Sequence, residues 1–252
     1  MLVASLSLLI ALLTGGGSDI PVFIVDDLSK EIKNHVNDKE KKKEILSVLK
    51  DYEKEFKKSQ KSLGKEKKKL KKLNTDRNSP EGSMDIVLND ASEIWSDLKT
   101  SAVQKRVEVQ GLLTEEEWQN IIAESLAEMN KKEIKSQEKA YKEFDKNFDK
   151  LKKGVTSEIT DPERLKIIEE TFKNFKDLWK IYLDEVMALS LRYLDSFQNL
   201  DATEAELNEA ISSVGDSRDN LFDGIIKLNA ELKELTTDEE WTTIAKKINK
   251  LF

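Results

Sequence analysis

An all-α fold is predicted, an elongated antiparallel bundle of three to four long heptad-patterned helices with shorter ones at the ends. Three observations predict it. Apolar residues recur in alternating steps of three and four along most of the chain behind residue 40. Charged residues make up 36% of the 252, with only nine Gly and three Pro, a composition of long solvated helices and not of a sandwich or an α/β enzyme. No run of period two occurs outside residues 20–25. The length suffices for a sizeable core. Residues 20–252 are read as one elongated helical domain, behind a separate segment 1–19.

Each element has its own signal. Ile45, Leu49, Tyr52, Phe56, Ser59, Leu63, Glu66, Leu70 and Leu73 hold one stripe, apolar at seven of nine positions, with Lys and Glu on the opposite face. Gly64 weakens its middle by about 1 kcal/mol relative to Ala. Residues 74–83 gather turn formers around Pro80 and end the helix. A second helix carries Val87, Ala91, Ile94, Trp95, Leu98 and Ala102 and stops near Gly111. Thr114 and Glu117 have capping-box spacing. They open a helix with Trp118, Ile121, Ile122 and Leu126 that continues through Tyr141, Phe144, Phe148 and Val155. Thr160 and Glu163 repeat the capping spacing around Pro162, which suits a first turn.

The strongest stripe runs from Leu165 to Leu200, apolar at ten of eleven positions. Phe172, Phe175, Trp179, Tyr182, Val186 and Leu189 are expected in the core. Leu178 and Ile181 widen the stripe, so this helix should meet more than one neighbour. Leu207 to Leu235 form the next helix, with Gly215 and Gly224 inside it. Thr237 to Glu240 start a terminal helix with Trp241, Ile244, Ile248 and Leu251. Leu113–Ile121 is similar to Thr236–Ile244. Thr at the cap, acids in the first turn and an aromatic on the buried face are common helix-start chemistry. A duplicated module is the other reading, although the flanks show no convincing alignment by eye.

The charge is uneven. Residues 26–77 hold 18 Lys/Arg against 11 Asp/Glu, and with Asp19 counted the remainder carries −13 of the net −7. A basic segment on an acidic body can meet an anionic surface or its own body. Lys65, Lys67, Lys68, Lys69, Lys71 and Lys72 are the candidate contacts for lipid headgroups or acidic wall polymers. No aromatic lies between Leu63 and Arg77 to stack a base, so no nucleic acid partner is expected.

Catalytic signals are few. The chain has no Cys and a single His. That removes disulfides, thiolate zinc sites and Cys nucleophiles. His35 sits in Glu31-x-x-x-His35, not in the Glu-x-x-His of di-iron bundles. No P-loop, Gly-x-Gly-x-x-Gly or Gly-x-Ser-x-Gly occurs. The 49 acids offer many carboxylate pairs, and spacing singles out none. The expectation is a protein without catalytic residues, cofactor or metal. Trp95, Trp118, Trp179 and Trp241 are expected to be core residues.

Met1 to Leu13 hold 11 apolar residues, broken by Ser5 and Ser7. As a helix they would rise about 20 Å, short of the roughly 30 Å hydrocarbon layer, and their number fits the apolar region of a signal peptide. With Leu12-Leu-Thr-Gly-Gly-Gly-Ser-Asp19 behind it, the segment resembles a bacterial lipoprotein signal. Gly16 stands where that family has its lipid-bearing Cys, and no Lys or Arg precedes the run. The resemblance implies export to the bacterial envelope, periplasmic or extracellular, without a lipid anchor. Three functions follow. The first is a non-catalytic structural or binding module whose partner is a protein or an anionic envelope component. The second is a membrane-inserting protein that uses residues 1–25, similar to α-helical pore-forming toxins. The third is a periplasmic chaperone: Leu113-Thr-Glu-Glu-Glu117 resembles the Leu-Thr-x-x-Gln motif of small helical chaperones, with Glu117 in place of Gln.

Overall fold

The computed structural model describes residues 28–192, 196, 198–212 and 215–250. Among them every regular element is a helix: α1 (Leu28–His35), α2 (Lys39–Thr75), α3 (Ser83–Gln110), α4 (Glu115–Thr156), α5 (Pro162–Arg192), α6 (Glu204–Ser212), α7 (Gly215–Glu234) and α8 (Asp238–Lys250). The signal segment and the patch 20–25 lie outside the described residues. So do the side chains of Val186 and Leu189.

Local chemistry explains the boundaries. Asp38 opens α2 by accepting from the Lys41 amide at 2.8 Å. The sequence reading missed this start because its stripe begins only at Ile45. α2 runs unbroken through Gly64, where an added Cβ would meet nothing within 4 Å. Residues 76–82 reverse the chain, and Gly82 takes φ +75 before α3, a conformation that suits Gly. Thr114 and Glu117 form the expected reciprocal capping box of α4. The cap of α5 is Asp161 and not Thr160. Its carboxylate accepts from the amides of Glu163 and Arg164 at 2.9 and 3.0 Å. A carboxylate one residue nearer the helix satisfies two open amides, which displaces the Thr from that role.

α2 packs along α3, α5 along α7, and α5 also meets α4. Phe172, Phe175, Trp179 and Tyr182 are buried as expected. Phe144 stacks on Trp179 at 5.0 Å and Phe148 meets Phe172 edge-on at 5.8 Å. Leu178 and Ile181 are instead 37% and 54% exposed. They stand on the outer flank of the stripe and stay partly open to solvent. Leu178 lies over Gly224 of α7, so close that an added Cβ would come within 2.8 Å of its Cδ1.

The two halves of the chain match one another at a single offset, which favours duplication over shared helix-start chemistry for Leu113–Ile121. Trp241 follows Trp118 by 123 positions, and the same spacing relates residues 28–129 to 151–252 without a gap. Fewer than one pair in five is identical, yet the structure follows the offset closely. α2 begins after Asp38 and α5 after Asp161; α4 begins at Glu115 and α8 at Asp238. α3 is matched by α6 and α7 together, and α1 by the last turns of α4. Ile32 and Val155, Ile45 and Ile168, Leu98 and Leu221, Val109 and Leu232, and Ile121 and Ile244 are all buried.

Bonds repeat as well. Lys41 binds the capping Glu117 at 2.9 Å, and Arg164 binds the capping Glu240 at 2.8 and 3.1 Å. Other bonds cross between the halves reciprocally. The Trp118 indole donates to the Gln198 carbonyl at 2.6 Å, and the Trp241 indole to the Thr75 carbonyl at 3.2 Å. Gln110 donates to the Ala202 carbonyl at 3.2 Å, and Lys233 to the Ser79 hydroxyl at 2.7 Å. Contacts in which i meets j and j meets i are what a two-fold relation produces. Donors of each half thus reach the matching positions of the other, Thr75 and Ser79 in one and Gln198 and Ala202 in the other.

Candidate functional site

The lysine tract lies in the last third of α2, and the helix sorts it onto different faces. Leu63, Glu66, Leu70 and Asn74 are buried and set the inward direction. Lys65, Lys68 and Lys72 point the opposite way and are exposed. Lys69 is drawn to the α3 side, 2.8 Å from Glu66 and 3.8 Å from Asp90. The hydrogen bond to Glu66 raises its pKa above the ordinary lysine value. Lys67 and Lys71 stand at the flanks, half-buried. Three of the six predicted contacts therefore share one outward face.

That face is longer than the tract. Lys54, Lys58, Lys61, Lys65, Lys68 and Lys72 recur in steps of four and three, and all are exposed. A side chain every 3.5 residues stays on one line of a helix. The line spans 18 residues, about 27 Å. Lys50 and Lys57 extend and widen it. The signal was present in the sequence, since the lysines obey the periodicity used to find the core.

Acids neutralise only its first turn or two. Asp51 accepts from Lys54 at 2.7 Å and Glu53 from Lys57 at 2.5 Å. The hydrogen bonds to these lysines hold both carboxyls below their ordinary pKa. Glu55 accepts from Ser101 of α3. From Phe56 to Thr75 the one acid is Glu66, buried and engaged by Lys69. Among the described residues no acid pairs with Lys58, Lys61, Lys65, Lys68 or Lys72. Lys72 also sits in the last turn, where the helix dipole favours a cation.

Other charged groups have local structural roles. The Arg106 guanidinium is fully buried, 3.7 Å over the Trp118 ring, and donates to the Asn199 carbonyl at 3.4 Å. Burial pulls its pKa down to about 9, still protonated at pH 7. Burial pushes Glu117 up, but bonds from Lys41 and Thr114 outweigh this and leave it below the usual carboxylate range. The bond from Arg164 lowers Glu240. Tyr141 donates to Asp184 at 2.6 Å, and burial with that bond raises it to about 12. His35 is half-buried, 3.4 Å from Glu31. All four Trp side chains are buried, as core residues.

Among the described residues no group of three His, Asp or Glu could hold a metal, and no helix is long and apolar enough to cross a membrane. The chain matches no family model, no curated protein and no solved structure.

Proposed function

We propose that the protein is a non-catalytic binding module of the bacterial envelope. It is an elongated antiparallel helical bundle folded as one domain, and it holds an anionic envelope component against the lysine face of α2. The supporting observation is the run Lys58, Lys61, Lys65, Lys68 and Lys72, five exposed cations on one line with no acid among the described residues to pair them. Lysines held that close repel one another, so an anion arriving there gains attraction and relieves the repulsion. The resemblance of residues 1–16 to an export signal supplies the address.

Binding of the full chain to a panel of anionic lipid vesicles, polyphosphate and purified wall polymer tests the module. It should bind at least one at low ionic strength and lose it as salt is added. Binding to none would end the proposal. The address has its own test. Gly16→Cys, combined with basic residues placed before Leu2, should yield a chain that incorporates labelled lipid in a host that lipidates a control. No incorporation would count against export by this signal.

A further inference from the structure

We propose that the outward face of α2, centred on Lys58, Lys61, Lys65, Lys68 and Lys72, docks on the plane of an anionic lipid bilayer. This rests on the reading of the protein as a binder of anions and goes on to name the surface bound.

The internal repeat supplies the control that a single chain normally lacks. α5 occupies in the second half the place of α2 in the first: Asp161 caps it as Asp38 caps α2, and Ile168 and Phe172 are buried where Ile45 and Leu49 are. At the positions 123 residues after Lys54, Lys58, Lys61, Lys65, Lys68 and Lys72 the sequence has Asp177, Ile181, Asp184, Ala188, Leu191 and Asp195. The fold is thus built around a helix of this register with or without the lysines. Their spacing is not a by-product of helix packing, since packing fixes only the inward stripe. What keeps six lysines in line must lie outside the fold.

The geometry favours a plane over a strand or a small anion. The face is the convex outer side of one helix. Its acid-free part runs from Lys58 to Lys72, about 21 Å along a helix axis. Arginine is absent from residues 28–76, so no planar fork is offered to a single phosphate or carboxylate. No aromatic projects outward; Tyr52 and Phe56 are half-buried against the core. Lysines on a convex line respond to charge density without reading shape, which is how polybasic segments meet anionic leaflets. Asp51, Glu53, Glu55 and Asp90 are engaged by Lys54, Lys57, Ser101 and Lys69.

The test is co-sedimentation of the full chain with vesicles of phosphatidylglycerol and phosphatidylcholine, with pure phosphatidylcholine vesicles as baseline and soluble polyphosphate as a separate arm. Two charge-matched variants accompany it: Lys61→Gln, Lys65→Gln, Lys68→Gln on α2, and Lys166→Gln, Lys173→Gln, Lys180→Gln on α5. Circular dichroism confirms that both are folded. The anionic vesicles should bind the wild type above baseline, the α2 variant should bind roughly tenfold or more weakly, and the α5 variant should match the wild type. Equal losses in both variants would show a net-charge effect and overturn the docking face. Binding of polyphosphate without binding of anionic vesicles would overturn the bilayer and leave the anion-binding reading standing. Binding of neither would overturn the bilayer, and failure to bind wall polymer as well would remove the anion-binding reading.

Discussion

α2 and α5 share a register and differ in what surrounds them. The α5 ring pair Phe175 and Trp179 is buried: Phe144 of α4 stacks on Trp179, and Phe175 lies beside Gly224 of α7. The equivalent pair on α2, Tyr52 and Phe56, is only half-buried. On the outer side the contrast reverses in chemistry: α2 is lined with lysine, while α5 shows Leu178 and Ile181. At one point the two helices solve the same contact differently. Glu55 accepts from Ser101 on the first helix pair; Leu178 covers Gly224 at the matching positions of the second. The repeated frame therefore fixes the inward stripe, the caps and the cross-bonds. It leaves the outer faces free, and that is where function can diverge.

The largest effect expected from this comparison is in the core. Trp179→Ala should cost about 3–5 kcal/mol, since the ring is fully buried between Phe144 and Tyr182. Phe56→Ala at the equivalent position should cost about 1–2 kcal/mol, in proportion to its partial burial. Equal losses in chemical denaturation would break the contrast between the two helices.

A smaller effect should be common to both halves. Thr114→Ala and Thr237→Ala each remove a reciprocal cap and should each cost about 1 kcal/mol. Unequal costs would show that the two junctions, alike in geometry, differ in energy.

The linked carboxylates add a pH signature. Glu240 is held below its ordinary pKa by the bond from Arg164. Its ionised form is favoured by folding, so its stabilisation is present above the ordinary value of about 4.5 and is lost as pH falls through the lowered one. Glu240→Gln should therefore be less stable than wild type at pH 7. The difference should shrink in acid. A gap that stays constant down to pH 3 would mean that the carboxylate charge contributes nothing.

Much of the fold was legible in the sequence. The alternating stripes gave four helices of 28 to 42 residues, and the Thr-x-x-Glu spacing gave the cap of α4. Failures have physical causes. Asp161 displaced Thr160 because a carboxylate reaching two amides outcompetes a hydroxyl. Leu178 and Ile181 widen the stripe in the sequence yet stay partly open, because an apolar stripe has no sharp edge until its neighbours are placed. The repeat shows in the sequence only where Leu113–Ile121 matches Thr236–Ile244, because elsewhere it is preserved mainly as bonds and burial. Arg106 and Asn229, or Gln110 and Lys233, are unlike as letters, but each sends a donor into the other half. Half of the candidate site was legible: the tract 65–72 marked the region, and the helix geometry then released Lys67, Lys69 and Lys71 from the face and added Lys54, Lys58 and Lys61.

The most direct test of the central claim is trace acetylation of the full chain, read lysine by lysine by mass spectrometry, with and without anionic vesicles. The account predicts that Lys58, Lys61, Lys65, Lys68 and Lys72 lose reactivity together when vesicles are present. Lys166, Lys173 and Lys180, which hold the equivalents of Lys43, Lys50 and Lys57 on α5, should keep theirs. Equal protection of both helices, or protection of α5 alone, would contradict it.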